Sequence, residues 1–195
     1  MLDFAKTNKW EEMMLDLGVK KEDVGKVDSR YLEEEPFYSR GEKHVEEFVD
    51  IMRDEFGLTI DENYSMLADF VSRFDSNPTM PALLKKLDKI YRLGLLTNQY
   101  IGTFDAVTSR GLIPPANWEV VVDSSKVGTQ KPEDKIFEIA AERAETPVNK
   151  ILFIDNAQMH VDKEKKLGWN TILYDPLDLG GSNEKIEEFL ENSQL

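Results

Sequence analysis

Hydrophobic positions follow two different rhythms along this chain. Up to Phe74 they recur at helical spacing: first Trp10, Met13, Met14 and Leu17, then Val45, Phe48, Val49, Met52 and Phe56, then Tyr64, Leu67, Phe70, Val71 and Phe74. Positions three or four apart share a helix face, so each set predicts one amphipathic helix. Gly18 and Gly57 follow two of these sets, and glycine ends helices readily because it accepts left-handed backbone. Residues 20–35 are charged and weakly periodic, which predicts only a short helix there. No strand pattern interrupts these first 75 or so residues, and the aromatic and methionine stripes are explained by helix packing.

The rhythm changes after the turn-forming run Asp75-Ser76-Asn77-Pro78. Residues 81–90 predict a helix with Leu83, Leu84 and Leu87 inward, and residues 92–98 a buried strand ending in Thr97-Asn98. A helix over 101–111 follows, then a short strand at Val120-Val121-Val122, then a helix over 133–143 with Pro132 near its start, where a missing N–H costs nothing. Ile151-Leu152-Phe153-Ile154 is an unbroken apolar run ended by Asp155, the pattern of a parallel strand covered on both faces. Residues 157–168 predict a helix stopped by Gly168, residues 170–174 another strand, and residues 185–190 a closing helix. Strand–helix–strand alternation predicts a doubly wound parallel α/β sheet, so the chain divides into a helical region, 1–77, and an α/β core, 78–195.

Composition narrows the function classes. A chain of 195 residues that is 41% hydrophobic and contains ten Phe is long and apolar enough to fold around a core. The net charge of −14 opposes nucleic acid and anionic membranes as partners. The absence of Cys removes disulfides, thiolate metal sites and cysteine nucleophiles. The first residues contain no apolar signal core, and a cytoplasmic location is expected.

Candidate chemistry lies at strand ends on one edge of the predicted sheet, where open α/β sheets bind ligands. Thr97 and Asn98 can donate to an anion beside a helix start. Lys131 supplies a compact positive charge. Asp155, followed by Asn156, can ligate Mg²⁺, which favours oxygen donors. Each group alone has a plain structural explanation as a cap, a loop lysine or a turn acid; their common edge is what gives them value.

Taken in order, these stretches resemble motifs of the haloacid dehalogenase superfamily. Leu95-Leu96-Thr97-Asn98 resembles the second motif, which binds the phosphoryl group. Gly128-Thr129-Gln130-Lys131-Pro132 resembles the third, whose lysine steadies the nucleophile and the transferring phosphoryl. The run from Phe153 through Asp155-Asn156 to Val161 resembles the fourth, whose leading acid holds Mg²⁺. The resemblance implies a helical cap over the core, and Mg²⁺-dependent hydrolysis of a small phosphorylated metabolite through an aspartyl-phosphate. Two departures accompany it. Asn156 replaces a second acid, and a neutral residue there can still bond a metal-bound water. His160 stands where Asn is frequent and is read as capping or packing. Tyr38 and Arg40, in a polar break between cap helices, have two readings, reach into the pocket and surface exposure, of which exposure is preferred.

The first motif, which carries the aspartate nucleophile, has two readings. In one, residues 3–7 are a degenerate remnant with Asp3 as nucleophile and Ala5 in place of the usual acid. In the other, the motif lies upstream of Leu2 and the first core strand is truncated or absent. That strand would belong between those ending at Thr97 and Asp155, so its loss predicts low stability or self-association through the gap. The alternatives that follow are a non-catalytic phosphate-binding pseudoenzyme and a metal-independent haloacid dehalogenase, the latter favoured by neutral Asn156.

Overall fold

The computed structural model of the chain describes residues 8–193. Asp3 therefore lies outside the described residues. Four α-helices come first: α1 (Lys9–Asp16), α2 (Val24–Ser39), α3 (Glu47–Phe56) and α4 (Met66–Ser72). The predicted stripes are the faces they bury. Met13, Met14, Val27, Tyr38, Phe48, Met52 and Met66 are all fully buried in one cluster. The start of α4 is tied to α3 by the Glu46 carboxylate, which accepts from the Ser65 hydroxyl at 2.7 Å and from the Met66 and Leu67 amides at 2.8 and 3.1 Å. It thereby satisfies amides that a helix start leaves unpaired.

Two readings are corrected here. The helix expected to be short is 16 residues long, because Val27, Tyr31 and Tyr38 on one face of α2 are pulled into the cluster. Tyr38, expected at the surface, is wholly buried for the same reason.

The remaining chain alternates: α5 (Met80–Leu87), β1 (Leu93–Thr97), α6 (Thr103–Ser109), β2 (Trp118–Asp123), the single turn α7 (Ser124–Val127), α8 (Asp134–Ala144), β3 (Leu152–Asp155), α9 (Gln158–Lys166), β4 (Asn170–Leu173) and α10 (Leu179–Asn192). β1 pairs in parallel with β2, setting Thr97 opposite Asp123. β3 pairs in parallel with β4. Ile136, Phe137 and Ala140 of α8 pack in one cluster with Val122 of the first pair and Phe153 of the second. A separate cluster of Leu83, Tyr174 and Ile186 packs α5 and α10 on Ile154 and Ile172. No helix among the described residues is long and apolar enough to cross a membrane.

Among the described residues the four strands form two separate two-stranded sheets. β1 and β3 have not closed on each other. Each turns its unpaired side to a cavity of about 930 Å³ that all of β1 and β3 line, with Leu83, Leu84 and Leu87 of α5 and Ala140 and Ala144 of α8. The core is thus α/β and doubly wound, with a gap where a strand between β1 and β3 was expected.

Candidate active site

The C-terminal ends of β1 and β3 meet through one lysine. Beyond β2, Asp123 caps α7 by accepting from the Ser125 amide at 3.0 Å, and Gly128 takes left-handed backbone at φ 72° to send the chain back toward β1. There the Asn98 side chain clamps the Lys131 backbone from both sides. Its carboxamide oxygen accepts from the Lys131 amide at 2.9 Å and its Nδ2 donates to the Lys131 carbonyl at 3.0 Å. With its backbone held, Lys131 reaches Asp155 and donates from Nζ to Oδ2 at 2.6 Å. Both side chains are nearly buried, at 9% and 6% exposure, so the pair is little screened by water.

Asp155 is held on its other oxygen too. Oδ1 accepts from the Ala157 amide at 2.8 Å and lies 3.2 Å from His160 Nδ1. Burial pushes the Asp155 carboxyl up, but His160, Lys131 and the Ala157 amide outweigh it and hold its pKa well below the ordinary value. Thr97 accepts from Gln99 Nε2 at 2.8 Å, and the Gln99 amide in turn donates to the buried Ser124 hydroxyl at 2.9 Å.

The structure therefore brings Thr97, Asn98, Lys131, Asp155 and Asn156 to one end of a single cavity, together with His160. Sequence reasoning had assigned His160 to capping or packing. Its place one turn into α9, facing back toward the strand end, was the available signal. Where the strands begin, the cavity is lined by Arg92, Glu119 and Lys150 beside the apolar Ile90, Trp118 and Pro147, and Glu35, Ser39, Phe70 and Phe74 of the helical region line it too. Arg40, expected at the surface, crosses to the core and donates from Nε to Glu133 Oε1 at 2.8 Å.

The arrangement can hold an oxyanion. A cation and a hydroxyl line the same cavity, and the cation is nearly buried, where electrostatic interactions are strong. The carboxylates that line the cavity already have partners. Asp155 is locked as described, Glu119 pairs with Arg92 at 2.6 Å away from the site, and Glu35 accepts from Ser39. No group of three His, Asp or Glu side chains among the described residues is spaced to hold a metal ion. Mg²⁺ demands a near-octahedral oxygen set. Waters and phosphate oxygens normally complete that set around one or two carboxylates; Asp155 and Asn156 offer oxygens for it, and both Asp155 oxygens are already engaged, by Lys131 and by the Ala157 amide.

No family model matches the chain. It is 23% identical over 124 residues to bifunctional epoxide hydrolase 2 of Sus scrofa, a match that takes in 60% of this chain and 22% of the pig protein. Among solved structures, a predicted HAD-like family hydrolase from Porphyromonas gingivalis superposes with a TM-score of 0.76 at 21% identity, over 99% of this chain and 92% of that one. A HAD family enzyme from Bacteroides thetaiotaomicron, a variant in complex with magnesium and inorganic phosphate, superposes with a TM-score of 0.73 at 20% identity, over 90% and 89% of the two chains. The chain has the haloacid dehalogenase-like fold.

Proposed function

We propose that the chain is a haloacid dehalogenase-type hydrolase whose site receives the phosphoryl group of a small phosphorylated metabolite. One observation carries this reading: Lys131, its backbone clamped by Asn98 and its ammonium placed by Asp155, shares the cavity end with Thr97. The Thr97 hydroxyl and the backbone beyond β1 would grip phosphoryl oxygens, and Lys131 would neutralise charge that grows on them during transfer. Asp155 keeps the lysine aimed. The helices from α1 to α4 form the cap in this reading, with Glu35, Ser39 and Phe70 above the site to select the leaving group. A carboxylate nucleophile would split phosphoryl transfer into two displacements, and Asp3 is the candidate within this sequence.

Calorimetric titration with inorganic phosphate, paired with turnover of an aryl phosphate with and without Mg²⁺, tests the proposal. Phosphate binding that is lost in Lys131→Met is expected, with any turnover lost in Asp3→Asn. Failure to bind phosphate at millimolar concentration overturns it. That every described carboxylate lining the cavity already has a partner favours a second reading, a phosphate-binding pseudoenzyme, which binds the anion without turnover. Halide release from a 2-haloacid in the absence of Mg²⁺ would instead assign the site to dehalogenation, the option that neutral Asn156 favours.

A further inference from the structure

Asn98 and Asp155 hold Lys131 from the core, and the loop that carries it is also held from the helical region. Glu133, two residues beyond Lys131, turns its side chain back over that loop. Its Oε2 accepts from the Thr129 hydroxyl at 2.6 Å and from the Gln130 amide at 3.4 Å. Its Oε1 is taken by Arg40, which donates from Nε at 2.8 Å and from Nη2 as well. A guanidinium that uses two of its donors on one carboxylate fixes direction as well as distance. One acid thus ties the end of α2 to the two residues just before Lys131. The Gln130 side chain adds no anchor of its own, since its buried oxygen finds no hydrogen-bond partner among the described residues.

A second contact seats the same end of α2. Gly41 follows Arg40 with left-handed backbone at φ 72°, and a Cβ placed there would collide with the Ser125 carbonyl of α7. Backbone therefore rests on backbone at the start of the segment from α7 to Lys131, while Arg40 grips its far end. We infer that Arg40 is a positioning residue for the anion site: acting through Glu133, it sets the backbone from which Lys131 is aimed, without touching the anion. Coupling of this kind is reciprocal, so an anion held by Lys131 tightens the seam by the factor that the seam tightens the anion. The effect on binding rests on the phosphate reading; the effect on the loop does not.

Two measurements on the full chain test it: calorimetric titration with inorganic phosphate, and amide hydrogen exchange at Gln130 and Lys131 without phosphate. Arg40→Ala should weaken phosphate roughly fivefold and quicken both amides by a similar factor. Arg40→Lys keeps one charged donor and should recover part of both losses. Gly41→Ala, which unseats α2 with Arg40 intact and no change of charge, should act in the same direction. Arg53→Ala removes a cation that binds the Ile60 and Asp61 carbonyls within the helical region, and it should change neither reading. In a Glu133→Gln background Arg40→Ala should add nothing. Equal weakening in both backgrounds would mean that Arg40 acts by long-range charge, and overturns the inference. So do unchanged amides in Arg40→Ala, quickened amides with unchanged phosphate affinity, or equal effects from Arg53→Ala. A native chain that binds no phosphate sinks the functional reading, and the amides then decide on Arg40 alone.

Discussion

The helical region between Lys9 and Ser72 buries Met13, Met14, Phe48, Met52 and Met66 completely, whereas no residue of β1 is fully buried, although Leu93, Leu95 and Leu96 make it as apolar as any stretch in the chain. The difference lies in what each element needs. An amphipathic helix satisfies its own backbone and must hide only one stripe, so four helices can close a core among themselves. A strand of the parallel kind needs a ladder on each side and cover on both faces. Among the described residues β1 and β3 have cover but a ladder partner on one side only, and the core around them is divided between two clusters.

Truncation mutants on the two sides probe this contrast most strongly. Phe48→Ala should cost about 3–5 kcal/mol, because it opens a hole in a closed cluster. Leu95→Ala should cost about 1 kcal/mol, because that half-buried side chain already faces the cavity and its loss creates no new enclosed void. Urea unfolding of both variants measures the difference. Equal losses would mean that the gap behaves as a packed core in solution.

Next in size is Lys131→Met. It strands Asp155 as a buried carboxylate without its cation, and a loss of about 3 kcal/mol at neutral pH is expected. The pH dependence carries the sign. Asp155 has a depressed pKa in the folded protein, so its contribution is present above the ordinary carboxylate value of 3.8 and disappears as pH falls below it. Lys131→Met should therefore flatten the acid limb of a stability–pH curve as well as lower its plateau.

Glu164 gives an effect of opposite sign. Its side chain on α9 is fully buried with no hydrogen-bond partner for either oxygen, and burial, partly offset by Lys131, pushes its pKa up to about 8. An acid whose folded pKa lies above its unfolded value binds more protons when folded, so stability falls as pH rises from about 4.5 to about 8. Glu164→Gln removes that slope. At pH 9 the variant should be more stable than the native chain by roughly 4–5 kcal/mol, and at pH 5 the two should lie within about 1 kcal/mol of each other. Thermal melts across that range decide it.

The same contrast explains which features the sequence made legible. The stripes of α3 and α4 and the apolar runs of β1 and β3 are local patterns, and each appears where periodicity places it. Among the described residues no strand lies between β1 and β3, the place where the resemblance to the haloacid dehalogenase superfamily put the first core strand. α2 was underestimated: its buried Val27, Tyr31 and Tyr38 are dispersed among charges, and tertiary packing rather than pattern extends the helix. α10 begins at Leu179, earlier than expected, because Asp178 caps it through the Gly181 amide at 2.9 Å across a glycine pair that reads as a turn. At the site, Thr97, Lys131 and Asp155 could be found because strand ends are predictable. The clamp of Asn98 on Lys131 joins residues 33 positions apart, which no local pattern displays. Glu164 was invisible for a related reason, since Lys163, Lys165 and Lys166 around it read as a solvated face.

The smallest expected effect concerns the seam between the two regions. Arg40, at the end of α2, donates to Glu133 at the start of α8, and Glu133 Oε2 accepts from the Thr129 hydroxyl at 2.6 Å. Burial raises the Glu133 pKa, yet Arg40 and Thr129 outweigh it and leave the value lowered, so the contact is present at neutral pH and fades as pH falls below the ordinary 4.5. Both side chains are about one-third exposed, at 31% and 34%, so water screens much of the attraction. Arg40→Ala should therefore cost only about 0.5–1 kcal/mol. Its value lies in where the loss appears. Hydrogen exchange should quicken at the last turn of α2 and the first of α8 and leave α3, deep in the closed cluster, unchanged. If α3 quickens equally, the helical region does not close its core independently, and the contrast between the two halves fails.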